Sequence, residues 1–146
     1  MIQEEKMLLI KDLSARLPYA VTVEHTSGFR GTLHDLTVHH MYDGDNDAVH
    51  GAICYTDFFG DEDSIYIEYF KPYLFPMSSM TEEQKEEYHY IVNYISPDDT
   101  DNWRKGEFIY VGQMTALLHF YLKNHLDYRG LIEKGLALDA TGLNIY

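Results

Sequence analysis

The hydrophobic positions change period twice along the chain. Leu9, Ile10, Leu13 and Leu17 recur at spacings of one, three and four, which places them on one face of a helix. Glu4 and Glu5 stand near its start, where the helix dipole favours anions, and Pro18 ends it, so a helix is expected over residues 1–18. Over residues 19–71 the period drops to two. Val21 and Val23 alternate with polar neighbours, as do Phe29, Gly31 and Leu33, then Leu36, Val38, His40 and Tyr42. Val49, Gly51, Ile53 and Tyr55 follow, then Ile65, Ile67 and Tyr69. Such alternation marks half-buried strands. The breaks at Thr26–Gly28, Asp43–Asp47 and Gly60–Asp63 have turn chemistry. One helix and about five short strands predict an antiparallel meander or a small SH3-like or Sm-like β-barrel, an analogy of fold that carries no function.

From residue 72 onward the period returns to that of helices. Pro72 and Pro76 bracket Tyr73, Leu74 and Phe75 in what reads as an extended connector. Thr81 and Gln84 form a capping-box pair at the start of a second helix, with Tyr88, Ile91, Val92 and Ile95 as its apolar stripe. Glu82, Glu83, Glu86 and Glu87 fill its exposed face. Residues 96–106 read as a loop and Phe108–Val111 as a short strand. Met114, Leu117, Leu118, Tyr121, Leu122 and His125 predict a third helix over about 112–126. A last short helix is expected over Leu131–Lys134, between Gly130 and Gly135. The whole reads as one α+β domain over residues 1–146: an N-terminal helix, a β-barrel or meander over 19–71, and a connector with helices packed on it over 72–146.

A length of 146 residues and a hydrophobic share of 45% suit one folded domain and argue against disorder. Charge adds the first functional information. The chain carries 24 acidic and 11 basic residues, a net charge of −13. Residues 61–101 hold 11 of the acids and 2 of the bases, while residues 102–146 are almost neutral. Such a field repels nucleic-acid phosphates and attracts basic partners, although acidity also serves solubility alone. Two glutamates precede the first apolar stretch, and no apolar run approaches a membrane span, so no membrane partner is expected and the cytoplasm is the default location.

Candidate chemistry is sparse. Cys54 is the sole cysteine, so no intramolecular disulfide forms. A lone strand cysteine is more often inert packing than a nucleophile, which would need a base such as His39 or His50 nearby. Eight histidines are many, and His34, His39, His40 and His50 fall in the strand region. His34 and His40 share strand parity if no bulge intervenes, and His40 meets His50 across a hairpin turning at Asp43–Asp47. With Asp35 or Asp43 they compose a possible site for zinc or another first-row metal, without the fixed spacing of a known motif. Asp43–Asp47 imitates the start of a calcium loop. Ala48 and Cys54, where that loop needs glycine and glutamate, break the match. No phosphate-cradling glycine loop or nucleophile elbow occurs, and no cofactor is implied. Trp103–Lys105 is too small for a nucleic-acid footprint. Arg129 suits a carboxylate or phosphate, or fastens a turn with Asp127.

Two strings, KPYLFPMSSMTEEQ (71–84) and DYRGLIEKGLALDA (127–140), resemble segments of small uncharacterised proteins encoded in phages and mobile elements of gut bacteria. LLIKDLSARLPYAVTV (8–23) resembles their N-terminal segment, which more often has glycine where this chain has Ala20. The resemblance implies one co-linear domain in a phage or mobile-element setting and transfers no catalytic residue.

The most informative feature is the coincidence of acid and tyrosine. Of 13 tyrosines, seven lie between 66 and 110, in the acidic belt. Tyrosine supplies contact area at low entropic cost, and neighbouring carboxylates steer and pair basic groups. The chain therefore reads as an acidic, non-enzymatic interaction module that binds a basic surface of a host or phage protein, with inhibition of a host protein as one form. The expected contacts are Asp61, Glu62, Asp63, Glu82, Glu83, Glu86, Glu87 and Tyr90. The alternatives are a metal-dependent enzyme using His34, His40 and His50, and a small-barrel nucleic-acid binder, which the charge disfavours.

Overall fold

A computed structural model describes residues 1–42, 48–56, 65–94 and 112–146. The chain forms two compact units, one of residues 1–74 and 129–146, the other of residues 75–128. Neither the Asp43–Asp47 and Gly60–Asp63 turns nor the 96–106 loop and the Phe108–Val111 strand fall within the described residues.

The first unit opens with helix α1 (Gln3–Arg16), whose first turn is fastened by the Glu5 carboxylate accepting the Ile2 N–H at 2.8 Å. A single 3-10 turn, Leu17–Tyr19, follows. The strands are β1 (Thr22–His25), β2 (Arg30–Tyr42), β3 (Ala48–Thr56), β4 (Ile65–Tyr66), β5 (Phe70–Leu74) and, after the second unit, β6 (Leu138–Asp139). They form one sheet in the order β4-β3-β2-β1-β5-β6, antiparallel except for β5–β6. The sheet is open, with β4 and β6 at its edges, so β1 to β4 keep the expected meander and the closed barrel is corrected. The physical reason is β5, which pairs with β1 and then takes β6 on its other side, where a barrel would need a closing partner.

Leu9, Ile10 and Leu13 of α1 pack on Val21, Val23, Leu33, Ala52, Cys54, Phe70 and Leu74, and Leu131, Leu136 and Ala137 of the returning chain complete this core. Segment 71–76 is thus strand before it is connector. Pro72 sits within the sheet because the Thr26 N–H bond to the Tyr69 carbonyl, 2.9 Å, sets the alternation of the ladder. Glu24 and Lys71 fall at a hydrogen-bonded pair and Val23 and Pro72 at a non-bonded one, so the missing N–H removes no bond to β1. Leu131–Lys134 forms turns and no helix: Gly130 and Gly135 take φ of +68° and +70° at its ends, leaving too few residues to propagate one.

Ala20 adopts φ 53° and ψ 52°, the left-handed region that costs a side-chain-bearing residue about 1–2 kcal/mol. Glycine relieves that strain and loses part of the gain to chain entropy. Ala20→Gly is expected to stabilise the protein by about 0.5–1 kcal/mol and to raise the thermal midpoint by about 2–4 °C. Calorimetry that finds a lower midpoint would contradict this reading of the turn.

The second unit is built on helices α2 (Glu82–Tyr94) and α3 (Gly112–Lys123). The expected capping box is present: Thr81 N–H donates to Gln84 Oε1 at 2.9 Å, and Gln84 N–H to Thr81 Oγ1 at 3.2 Å. Gln84 near the start of α2 bonds Asn124 just after α3, and Gln113 near the start of α3 donates to the Val92 carbonyl near the end of α2. The two helices therefore run antiparallel. Ile91, Phe120 and Leu126 are buried between them, with Phe75, Met77, Met80, Tyr88, Leu117 and Tyr121 packed around. Phe75 and Leu126 form a parallel bridge that ties the incoming chain to the outgoing one, through Phe75 N–H to His125 O at 2.9 Å and Asp127 N–H to Phe75 O at 2.8 Å. Among the described residues no helix is long and apolar enough to cross a membrane.

Candidate functional site

Helix α2 presents the acid and tyrosine of the sequence reading on one surface. Glu83, Glu86, Tyr90 and Tyr94 follow spacings of three and four and share a row, and all four are exposed. Tyr90 and Tyr94 are 60% and 77% exposed, and their rings stack at 5.5 Å and 28°. Preformed stacking of this kind holds aromatic area at the surface with little left to order on contact.

The four glutamates are not equivalent. Glu82 accepts from Lys85 at 2.8 Å, which holds its carboxyl below the usual range. Glu87 accepts from Lys123 of α3 at 2.6 Å, so it fastens the two helices before it meets anything else. Glu83 and Glu86 make no ion pair among the described residues, which leaves their charge for an incoming cation. Tyr94, one of the seven tyrosines of the acidic belt but not among the expected contacts, is exposed and continues the row that Tyr90 begins. Asp61, Glu62 and Asp63 lie outside the described residues, as does Trp103–Lys105.

The histidine constellation resolves in part. The register sets His40 directly opposite His50, as the hairpin reading expects. It also shifts between Leu33 and Asp35, which makes His34 the extra residue, the bulge that the parity expectation required to be absent, while the side chains of His39, His40 and His50 lie outside the described part of the structure. Among the described residues no group of three or more His, Cys, Asp or Glu side chains is placed to hold a metal ion. The flanks of residues 43–47 are the strands β2 and β3, not the helices of a calcium loop. Cys54 is buried in the core, and burial, aided by the charge of Glu68, pushes its thiol up to about 12. That environment withholds the thiolate that nucleophilic chemistry requires.

Sequence reasoning missed two polar clusters in the first unit. Glu24 of β1 accepts the Tyr73 hydroxyl and Arg30 Nε, the latter at 2.9 Å, while the Arg30 guanidinium lies 5.0 Å over the Tyr73 ring. The Tyr73 hydroxyl and then Arg30 hold the Glu24 carboxyl below its usual range, and burial and Glu24 together push Tyr73 up. The Tyr146 hydroxyl donates to the Tyr73 carbonyl at 2.6 Å and accepts the Thr22 N–H at 3.3 Å, and burial pushes it up to about 12. In the other cluster, Asp12 and Arg16 of α1 are both fully buried. The carboxylate takes Arg16 Nε at 2.6 Å and Nη2 at 3.3 Å, with Arg129 Nε 3.4 Å away. Arg129 thus meets a carboxylate inside its own unit. The only signal for this pair was the spacing of Asp12 and Arg16, i and i+4 in the same stripe as Leu9 and Leu13.

Comparisons with protein-family models, with curated protein sequences and with solved structures find no match to this chain. The functional reading rests on the chain's own residues.

Proposed function

We propose that the protein is an acidic, non-enzymatic interaction module that captures a basic protein surface with the exposed row of α2. The observation that carries this reading is the stacked pair Tyr90–Tyr94 standing exposed in line with Glu83 and Glu86. Tyrosine anchors fill pockets on a partner, and carboxylates beside them pair with its arginines and steer its approach. Residues 61–101, which include α2, carry most of the net charge of −13 and strengthen the same field. Glu82 and Glu87, being held by lysines of the same unit, contribute less than Glu83 and Glu86. A cytoplasmic setting extends this proposal as the default for an acidic chain without an apolar run of membrane length, and inhibition of a host protein by a phage or mobile-element product extends it on the resemblance of segments 8–23, 71–84 and 127–140.

The test is affinity capture at low salt from the native host lysate, read by mass spectrometry and followed by titration of the captured partner. One enriched basic protein, released at high salt, is expected. Reversing Glu83 and Glu86 to lysine is expected to weaken that partner at least about tenfold, and Tyr90→Ala to weaken it by a similar factor. A blank capture, or reversal variants that bind as the parent does at low salt, would overturn the proposal.

A further inference from the structure

The unit of residues 1–74 and 129–146 carries an open depression of about 270 Å³ where the end of β1 meets β5 and β6. Glu24, His25 and Thr26 line one side, Tyr69 and Lys71 another, and Leu138 of β6 a third. The strand register sets Arg30, Glu24 and Lys71 in one row across β2, β1 and β5. Two cations therefore flank one anion. The Glu24 carboxylate is turned to Arg30 and the Tyr73 hydroxyl. Lys71, although directly opposite Glu24 in the register, makes no ion pair among the described residues. Lys71 therefore offers its ammonium at the depression, while Arg30, outside the lining, pairs with Glu24, in a chain whose net charge is −13.

Tyr69 and Leu138 give the lining an aromatic and an apolar surface, beside His25, Thr26 and Gly28. Tyr69 is 46% exposed with its ring 6.0 Å from that of His25, and Leu138 lies across from them. The volume is small beside the ~300–1,000 Å³ of pockets that enclose a drug-sized ligand, and suits a single ring. We propose that this depression binds a small aromatic anion. The ring lies against Tyr69 and Leu138, and a carboxylate or phosphate oxygen accepts from the Lys71 ammonium, with the Thr26 hydroxyl as a further donor. A lysine suits this role because it presents a compact charge to an anion of either shape. Glu24 does not repel the ligand, since Arg30 and Tyr73 already hold its charge. The inference stands on residues of the first unit and does not depend on the reading of α2.

The full chain labelled with nitrogen-15 tests it, titrated separately with benzoate, phenyl phosphate, benzamide and inorganic phosphate. Benzoate and phenyl phosphate are expected to shift the amides of Thr26, Gly28, Lys71 and Leu138. Benzamide, which has the ring without the charge, is expected to bind at least about tenfold more weakly, and so is inorganic phosphate, which has the charge without the ring. Lys71→Gln is expected to lose about tenfold while Lys71→Arg retains binding, with unchanged spectra elsewhere showing that both fold. Absence of shifts for both aromatic anions, equal binding of benzamide or of inorganic phosphate, or a Lys71→Gln variant that binds as the parent does would each overturn it.

Discussion

Asp12→Ala is expected to destabilise the first unit by about 3–5 kcal/mol. The reason is the position of Arg16, not the strength of the ion pair. Both side chains are fully buried, and the guanidinium is held by two bonds to the carboxylate, at 2.6 and 3.3 Å. Removing the carboxylate leaves a desolvated cation without the anion that neutralises it, and Arg129, 3.4 Å from the same carboxylate, adds a second positive charge to the site. A loss of that size is a large share of the ~5–15 kcal/mol that a domain has in total. Asp12→Asn keeps the shape and an acceptor but not the charge, so it is expected to fall between Ala and the parent. Replacing both partners, Asp12→Leu with Arg16→Met, removes the charges together and is expected to cost far less than Asp12→Ala alone. Urea denaturation followed by circular dichroism, with matched slopes, measures all three. An Asp12→Ala midpoint within about 1 kcal/mol of the parent would show that the pair is not what secures α1 to the returning chain.

The same pair shows where sequence reading reaches its limit. The stripe of α1 was legible because Leu9, Ile10 and Leu13 recur at helical spacing, yet Asp12 and Arg16 lie in that stripe and are as buried as the leucines. Their polarity gives no sign of that burial, and Arg129, which supplies a second cation to Asp12, lies more than a hundred residues away. The capping box of Thr81 and Gln84 was legible because it is local. The strand alternation is legible only in part: its change of phase between Leu33 and Leu36 marks the register shift that joins two expected strands into the single strand β2, but β3 buries Ala52, Cys54 and Thr56, the parity opposite to the expected run of Val49, Gly51, Ile53 and Tyr55, and the expected strand through Ile65, Ile67 and Tyr69 ends at Tyr66 in a 3-10 turn. Pro72 misled for the opposite reason. Its place in the sheet depends on which side of β5 the hydrogen bonds fall, which composition does not encode. The division into units was hidden too, since residues 129–146 rejoin a sheet begun at the other end of the chain. The candidate surface was legible to the extent that a helix face is: the row of Glu83, Glu86 and Tyr90 follows from spacing, whereas the lysine partners of Glu82 and Glu87 had to be seen.

Phe120→Ala is expected to cost the second unit about 3–5 kcal/mol, the usual loss for truncating a fully buried aromatic ring. Phe120 is fully buried between the helices, with the Tyr88 ring 6.1 Å away and tilted by 45°, and the Tyr121 ring 5.8 Å away and edge-on. Among the described residues, few other side chains are as deeply buried in this unit, Ile91 and Leu126 chief among those packed with Phe120. Tyr88 and Ile91 seat α2 through this contact, and the exposed row of Glu83, Glu86, Tyr90 and Tyr94 is a row only while α2 is helical. Loss of Phe120 is therefore expected to remove hydrogen-exchange protection from α2 and α3 and to abolish partner capture with it. Tyr90→Ala and the Glu83, Glu86 reversal should instead lose capture at an unfolding midpoint within about 0.5 kcal/mol of the parent, because those side chains face solvent. The contrast separates two ways in which the same residues could be read. If Phe120→Ala lost protection in α2 and still captured the partner, recognition would belong to residues 82–94 as an extended segment, and the helical row would be incidental. If capture and protection fall together, the partner reads the folded surface that the core of Phe120 maintains.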